Sequence, residues 1–369
     1  MKGHLNVRSS SYLLLKQWAR ESGLVLLLLF PATSPAGSTF QGELIPFPSA
    51  SYHFYDKGSP DVQQKASGAE VDFFYSAKFS DYWRLLSEIV ISDEEHEVER
   101  LEVGKVVPED YQIWLGRYHT ALGHWNHKYH HGAYLQTSIH RPSIIEWEDD
   151  NGVIPAHATG LSLGVEHEFS NRIVNGVLET GLGPELGNDG RLIPFDMFNN
   201  SDGQHNVAVT AMLSSYTKDE PFDDSGIFAG YIEMPSTAAN IQEVQQTVVG
   251  AFTNYTMGPL LWQGSIYYVS DYLDLNGGDD KKSSFGYWYI EPEYTYSNRW
   301  TFYGRWETSI NSDNDLYIAQ IPGFISDRTF VGARYQLHGN QALKFEIANL
   351  KQYGERFNSI EIQWSAALP

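Results

Sequence analysis

Hydrophobic and polar residues alternate with period two through three consecutive segments near the end of the chain. Ile360, Ile362 and Trp364 alternate with Glu361 and Gln363 in the last segment, and the segments at 327–337 and 341–349 behave alike. Side chains of a β-strand point alternately to opposite faces, so each segment predicts an amphipathic strand. Such strands suit a membrane barrel when the apolar face meets lipid and the charged face lines a wet interior.

Strand-like segments follow one another along the whole chain, without a long amphipathic helix between them. Sixteen segments are predicted: 47–56, 67–79, 82–93, 96–106, 110–118, 158–169, 173–183, 204–216, 225–234, 243–254, 259–271, 284–296, 299–310, 327–337, 341–349 and 357–366. An even number of this size is typical of bacterial membrane barrels. The predicted fold is therefore an all-β, antiparallel, up-and-down transmembrane barrel.

The lengths of the connections support this fold. Long loops are predicted at 57–66, 119–157, 184–203, 272–283 and 311–326, and most connections between them are tight turns rich in Gly, Asn, Asp, Pro and Ser. Transmembrane barrels show this asymmetry, with short turns at one rim and long loops at the other. A random set of hairpins would not alternate in this way.

The N-terminal segment has the pattern of a secretory signal. Lys16 and Arg20 precede the apolar run 23–30, and a stretch of small residues follows Pro31. The apolar run is too short to span a bilayer, which takes about 20 residues. We therefore predict a signal peptide at 1–36 and a barrel at 37–369, located in the outer membrane of a Gram-negative bacterium with its lipid and lipopolysaccharide as neighbours.

Composition narrows the function. The 369 residues include 46 acidic and 25 basic side chains, which gives a formal net charge of −21 and argues against nucleic-acid binding. Cysteine is absent, so neither disulfides nor thiolate metal sites are available. The 10 Trp, 23 Tyr and 19 Phe residues suit the aromatic girdles of a membrane barrel.

The loop at 119–157 is too long for a simple hairpin connection. Connections above about 15 residues without a sheet role are usually functional or disordered. The large apolar and aromatic residues Trp125, Tyr129, Tyr134 and Leu135 favour a folded loop. We expect this loop to enter the barrel and narrow it.

The signal, the succession of strands and the segment Gly116-Arg117-Tyr118-His119-Thr120-Ala121-Leu122-Gly123 together resemble the Gram-negative outer-membrane porins. The resemblance implies passive diffusion of small hydrophilic solutes or ions, an inward-folding loop after the fifth strand, and a homotrimer as one candidate assembly. Two features depart from the pattern. The chain ends at Pro369 rather than on an aromatic residue, and the constriction loop carries no Pro-Glu-Phe-Gly-Gly stretch.

Charged residues on the polar strand faces, with residues of the long loop, are the predicted lining of the pore. They are Arg84, Glu88, Arg117, His119, His124, His127, His131, Arg141, Glu291, Glu293, Arg305, Glu307, Arg334, Lys344 and Glu346. Basic and acidic members are expected to face each other across the lumen. Because acids are in excess, and carboxylate rings favour cations, we predict a mild cation preference. A channel of this kind needs neither an enzymatic activity nor a cofactor.

Seven of the 13 histidines lie within the long loop and its two ends. If 124–131 is helical, His124, His127 and His131 share a face and could bind Zn²⁺ or Cu²⁺. A polar constriction, in which the histidines hydrogen-bond to wall carboxylates, is the alternative, and a response to mild acid is a third. The acidic clusters 219–224 and 279–280 could bind Ca²⁺ weakly.

Two other classes of function remain open at this point. A barrel could bind a metal ion, or enclose a partner protein, without conducting freely. A barrel could also act on lipids, for which Ser138, Ser143 and His140 lie close together, although no nucleophile motif surrounds them.

Overall fold

The structure is a computed structural model of the chain. It describes residues 40–56, 65–92, 96–107, 110–129, 132–146, 152–198, 203–219, 223–278, 280–321, 323–352 and 354–368. The predicted signal peptide at 1–36 lies outside the described residues. Among the described residues, no helix is long and apolar enough to cross a membrane.

The described residues form eighteen strands, of which sixteen build the barrel. They are β1 Gln41–Tyr55, β2 Lys65–Lys78, β3 Trp83–Ser92, β4 His96–Val107, β5 Tyr111–His119, β6 His157–Phe169, β7 Arg172–Leu182, β8 Glu185–Leu186, β9 Leu192–Ile193, β10 Val207–Thr217, β11 Asp224–Pro235, β12 Ile241–Met257, β13 Leu260–Leu275, β14 Lys281–Thr295, β15 Trp300–Ile310, β16 Ile325–Gln336, β17 Gln341–Gln352 and β18 Glu355–Ala366. The short strands β8 and β9 form a separate hairpin.

The barrel is closed and every neighbouring pair of strands is antiparallel. Consecutive strands are neighbours throughout, apart from β7, which pairs with β10 across the connection that holds β8 and β9. β1 closes the barrel against β18, with Ser49 opposite Ser365 and Tyr55 opposite Ser359. Closure removes the exposed sheet edges that would otherwise leave backbone groups unpaired. The predicted up-and-down barrel of about sixteen strands is confirmed.

The outer face of the barrel wall is apolar, while charged residues of β17 face inward. On neighbouring strands, Val331 and Ile347 are 64% and 59% exposed, whereas Lys344 is fully buried and Glu346 is 1% exposed. A water-soluble protein rarely exposes a continuous apolar surface and rarely buries ionic groups in this way. The alternation read from the sequence therefore has the sidedness of a wall with lipid outside.

Three glycines allow the sheet to bend where β5, β6 and β7 approach the rim of the long loop. Gly116 is opposite Gly160, and Gly160 is opposite Gly181. A Cβ atom at Gly116 would lie 1.9 Å from the carbonyl oxygen of Leu101, and at Gly160 it would lie 2.2 Å from that of Thr180. Gly116 also has a φ of 142°. Beyond this point the strict alternation of β5 ends, and the last three residues of the strand are all buried.

Candidate functional site

The loop after β5 folds into the barrel and reaches opposite sides of its wall. Near its start, the backbone N–H of Ala121 donates to Glu179 Oε2 of β7 at 2.8 Å. Farther along, the N–H of Gly132 donates to Asp72 Oδ2 of β2 at 3.0 Å, and the N–H of Ile139 donates to Glu346 Oε2 of β17 at 2.5 Å. The predicted inward fold of this loop is confirmed.

A short helix, α1 (His124–Lys128), begins the inward course of the loop. Gly123 precedes it with a φ of 112°, and a Cβ at this position would lie 2.4 Å from the hydroxyl oxygen of Tyr267. Asn126 donates from its side-chain amide to the carbonyl oxygens of Thr120 at 2.7 Å and of Ala156 at 3.0 Å. These bonds clamp the two ends of the loop together, which fixes the direction in which the helix enters.

One side of the interior is an apolar core shared by loop and wall. The loop contributes fully or almost fully buried side chains, among them Leu122, Trp125, Ile144, Ile145 and Ile154. They belong to the same cluster as inward-facing wall residues, which include Met212, Phe228, Ile232, Val244, Val248, Phe252, Val269 and Phe285. The sequence predicted a polar, water-filled lumen, whereas this sector of the interior is apolar. The apolar sector shows that the loop is anchored on this side by the exclusion of water.

Next to the apolar core, the loop is also held by a chain of buried charges centred on Arg328. This guanidinium donates through Nε to Glu307 Oε1 at 2.6 Å, and through Nη1 to both oxygens of Glu146 at 2.6 and 2.7 Å. It also donates through Nη2 to the carbonyl oxygen of Arg141. His140 extends the chain, because its two ring nitrogens lie 2.5 Å from Glu146 and 2.7 Å from Glu361.

The protonation states of the loop residues in this chain follow from their partners. Burial alone would lower the pKa of His140, but the carboxylates of Glu361 and Glu146 outweigh it and raise the pKa to about 10. Burial would raise the pKa of Glu146, but Arg328 and His140 outweigh it and lower the pKa to about 2. At neutral pH this chain of charges therefore contains the imidazolium of His140 in direct contact with the carboxylate of Glu146.

Two further wall cations bind the middle of the loop. Arg305 donates to Glu291 Oε2 at 2.6 Å and to the hydroxyl of Ser138 at 3.0 Å. Its guanidinium carbon also lies 5.2 Å from the ring centroid of Trp125, within the range of a cation–π contact. Lys344 Nζ donates to the carbonyl oxygens of Ala133 at 2.6 Å and of Ser138 at 2.9 Å.

The predicted pore-lining charges are therefore paired along the wall and with the loop, rather than with one another across an open lumen. Besides the pairs above, Arg334 donates to the carbonyl oxygen of Gln136 at 2.8 Å, and Glu293 accepts from Gln263 at 2.5 Å. The reason is geometric: the loop occupies the space between the two walls and offers closer partners. Their role in permeation stays a prediction.

The remaining predicted lining residues lie on the side of β3, β4 and β5. Arg84 and Glu88 are on the inward face of β3, where Glu88 is 1% exposed. Arg117 donates to the carbonyl oxygen of Glu99 at 3.2 Å and pairs with the carboxylate of Glu97. His119 Nε2 lies 3.8 Å from Glu88 Oε2. This corner of the barrel concentrates ionisable groups.

The three histidines of the predicted metal site have different fates. Nδ1 of His124 lies 3.2 Å from Asp224 Oδ2, and its ring packs against Phe252. His127 is half-buried on α1, while His131 lies outside the described residues. Among the described residues, one group of three metal-ligating side chains converges, and it consists of Glu99, His119 and His157. Metal binding at His124, His127 and His131 stays a prediction.

The acidic clusters and the two serines also have defined places. Asp223 and Asp224 accept hydrogen bonds from Thr256 at 2.7 Å and Asn254 at 2.6 Å. Calcium binding there and near residue 280 stays a prediction, because Glu220 and Asp279 lie outside the described residues. Ser138 and Ser143 donate their hydroxyls to the carbonyl oxygens of His140 at 3.0 Å and Ile325 at 2.8 Å.

Three residues of the charge chain, Arg328, Glu146 and Glu361, were absent from the predicted site. Arg328 and Glu361 occupy the polar faces of their strands, so alternation places them inside, but it does not show which wall residue meets the loop. Glu146 lies at the end of an apolar stretch, next to residues 147–151, which are not described. The signal in the sequence that points to Glu146 is a carboxylate in the long loop together with arginines on the polar faces of the strands.

Comparison with known proteins places this arrangement in a recognised fold. No protein-family model matches the chain, and no curated protein sequence matches it. The anion-selective porin from Comamonas acidovorans is similar in structure, with a TM-score of 0.60 and 10% identity, over 89% of this chain and 100% of that chain. The outer membrane channel DcaP of Acinetobacter baumannii gives a TM-score of 0.56 and 10% identity, over 91% of this chain and 99% of that chain.

A third similar structure is OmpF of Salmonella typhi in complex with daunomycin. Its TM-score is 0.54 and its identity 11%, over 89% of this chain and 97% of that chain. Each similarity spans nearly the whole of both chains, so the complete barrel is shared and not a few hairpins. The chain thus has the porin-like fold of a closed, sixteen-stranded, antiparallel barrel, as the sequence predicted.

Proposed function

We propose that this protein is a porin-like channel of the outer membrane of a Gram-negative bacterium, through which small hydrophilic solutes or ions diffuse passively. The observation that carries the proposal is the combination of a closed barrel, an apolar exterior, and a loop that enters a charged interior. A sixteen-stranded barrel is wide enough to leave an aqueous path. The loop then decides how much of that width is open.

The permeation path is proposed to follow the side of β1 to β4, because the opposite side is filled by the apolar core of loop and wall. Several inward-facing polar side chains on this side, Ser51, His53, Glu70 and Arg84, are only partly buried, although Asp72 and Glu88 are almost fully buried. Partial exposure inside a closed barrel is what a wet path requires. The excess of acidic over basic residues in the sequence supports a mild preference for cations.

Planar-bilayer recording tests the proposal. Purified, refolded protein is expected to insert in discrete, ohmic steps, and under a KCl gradient the reversal potential should have the sign of a cation-selective pore. Folding is checked by the change in electrophoretic mobility on heating, which barrels of this type show. Protein that is folded by this criterion, yet produces no steps, would rule the channel out.

A second candidate function is a barrel that stays closed and encloses what it binds. The specific observation in its favour is the packing of the loop, which contributes to both the apolar core and the adjacent chain of buried charges. The bilayer experiment distinguishes the two candidates, because an enclosing barrel would not conduct. A lipid-modifying enzyme receives less support, since the hydroxyls of Ser138 and Ser143 already donate to backbone carbonyls.

The assembly is proposed to be a homotrimer. One similar structure, an outer membrane protein of Vibrio cholerae with a TM-score of 0.52, is described as a trimer form. Chemical cross-linking of the folded protein in detergent is expected to trap species of up to three chains. A single-chain mass in native mass spectrometry, from protein that conducts, would contradict the trimer.

A further inference from the structure

Three buried side chains from three neighbouring strands converge at the rim of the long loop. Glu99 lies on β4, His119 ends β5 and His157 begins β6, and they are 5%, 2% and 1% exposed. One ligand atom from each lies within 4.8 Å of the other two. Nε2 of His157 is 2.7 Å from Oε2 of Glu99. We propose that these three residues form a binding site for a divalent transition-metal ion of the Zn²⁺ class.

The fold brings the two histidines together because they are cross-strand partners. His119 and His157 are opposite each other in the register of β5 and β6, and their ring centroids are 4.9 Å apart. Directly beyond them, the N–H of Thr120 donates to the carbonyl oxygen of Ala156 at 2.8 Å, and Asn126 ties both ends of the loop. The pair is thus held by the barrel ladder on one side and by the closed loop stem on the other.

A β-bulge brings in the carboxylate. In the pairing of β3 with β4, Glu88 is opposite Arg100 and Ile89 is opposite Val98, so Glu99 is the extra residue of a bulge. A bulge re-aims the side chain of the extra residue and bends its strand. Regular alternation would not place Glu99 and Arg100 on one side of the sheet, and the bulge removes this constraint.

The donor set selects the chemical class of the ion. Two imidazole nitrogens and a carboxylate suit Zn²⁺ and its neighbours, whereas Ca²⁺ and Mg²⁺ prefer oxygen ligands only. Glu88 offers a fourth ligand, because its Oε2 lies 3.8 Å from His119 Nε2. Tetrahedral Zn²⁺ with bonds of about 2.0–2.1 Å needs ligand atoms about 3.3 Å apart. The observed separations lie on both sides of this value, so small side-chain rotations are sufficient.

The charges around the site favour a dication. The cluster contains four carboxylates and two guanidinium groups: Glu88, Glu97, Glu99 and Glu102 with Arg100 and Arg117. Acidic groups outnumber the guanidinium groups here, so a bound cation is favoured over an anion.

Arg100 makes the proposal more specific. Its Nη2 donates to Nδ1 of His119 at 2.9 Å, and its Nε lies 3.3 Å from Oε1 of Glu102. An imidazole that binds metal through Nε2 carries its remaining proton on Nδ1, so it cannot accept from Arg100 at the same time. Metal binding therefore requires Arg100 to turn fully to Glu102. Removing this cation should strengthen binding.

Calorimetric titration of the full-length, refolded barrel with Zn²⁺, and absorption spectroscopy with Co²⁺ as a reporter, test the site. Wild-type protein is expected to bind one ion per chain. H119A and H157A should each weaken binding by at least about 100-fold, since even changes beyond the direct ligands cost about 10–100-fold. R100Q should tighten binding rather than weaken it, because it removes the cation that contacts His119 Nδ1. H167A, which removes an exposed histidine of β6, is the matched control and should bind as wild type does.

Heat-dependent electrophoretic mobility shows that each variant is folded. A folded H119A/H157A double variant with wild-type stoichiometry and affinity would overturn the proposal. Loss of the site in H124A/H127A, with retention in H119A/H157A, would equally overturn it and assign the ion to the loop helix. This inference does not depend on whether the barrel conducts.

Discussion

The loop is held by two unequal anchors, and this inequality predicts what removal of Glu146 does. Glu146→Ala deprives Arg328 of two hydrogen bonds of 2.6 and 2.7 Å, and His140 of one of 2.5 Å. Removing one partner of a buried ion pair costs about 3–5 kcal/mol. Among the buried apolar side chains of the loop, Leu122, Trp125 and Ile154 lie outside the segment 139–146 and contribute about 1.5–3 kcal/mol each, or about 5–9 kcal/mol together. The variant should therefore open the loop locally around 139–146 without releasing it.

Thiol labelling can measure this local opening, because the natural sequence has no cysteine. Ser143→Cys places a reporter beside the charge chain, and Ala121→Cys places one in the apolar core. At about 1.36 kcal/mol per factor of ten, Glu146→Ala should accelerate maleimide labelling at position 143 by between about 100-fold and about 5,000-fold. Labelling at position 121 should change little.

Two results would refute this reasoning. Equal acceleration at both positions would mean that the loop leaves the barrel as one unit, so that the apolar anchor is weaker than its buried area suggests. No acceleration at either position would mean that the charge chain does not hold the loop. Glu146→Gln, which keeps the shape and one acceptor, is the matched variant and should fall between wild type and Glu146→Ala.

Three further predictions concern the charge chain, the apolar core and the glycines of the barrel wall. Because the pKa of His140 is raised, its contribution to the stability of the folded loop is complete below about pH 6.5 and is lost as the pH rises through about 10. Because the pKa of Glu146 is lowered, its contribution is complete above about pH 4.5 and is lost as the pH falls through about 2. Labelling at Ser143→Cys, normalised at each pH to a free peptide thiol, should accordingly be slowest between about pH 4.5 and 6.5, and a flat profile would contradict the assignment. Leu122→Asp places an unpaired charge at a fully buried position, which costs several kcal/mol. The variant should therefore displace the start of the loop and enlarge the single-channel conductance. An unchanged conductance would show that α1 does not narrow the path. Gly116→Ala should abolish the heat-modifiable folded band. Gly258→Ala, at a turn with no atom within 4 Å of the added Cβ, should lower the free energy of unfolding by only about 1 kcal/mol. Equal behaviour of the two variants would contradict the close backbone approach at Gly116.

The wall of the barrel could be predicted from the sequence because alternation is a local property. Ile347 and Val331 face out and Lys344 and Glu346 face in, as period two requires. Each barrel strand has one outward and one inward face along most of its length, although the inward faces of β10 to β14 include apolar residues such as Val248 and Phe285. The inward fold of the loop was predicted from its length and its aromatic residues.

The interior of the barrel was less predictable because it depends on contacts between distant segments. Leu122 and Ile144 share an apolar core with wall residues more than 80 positions away in the chain, such as Phe228, and no local pattern in the sequence marks them as buried. The pairing of Arg328 with Glu146 depends on how deep the loop enters. Glu99 escaped notice since a bulge breaks the alternation on which the reading relied.

Conductance measured before and after excision of the loop tests the central claim most directly. Replacement of 122–154 by a short Gly-Ser linker keeps the stem pair Thr120 and Ala156, and leaves the sixteen wall strands intact. If the inward loop narrows a porin-like channel, both proteins form ohmic pores, and the step of the excised variant is several times larger. Steps of equal size would contradict the account, since they would place the loop outside the path that ions take.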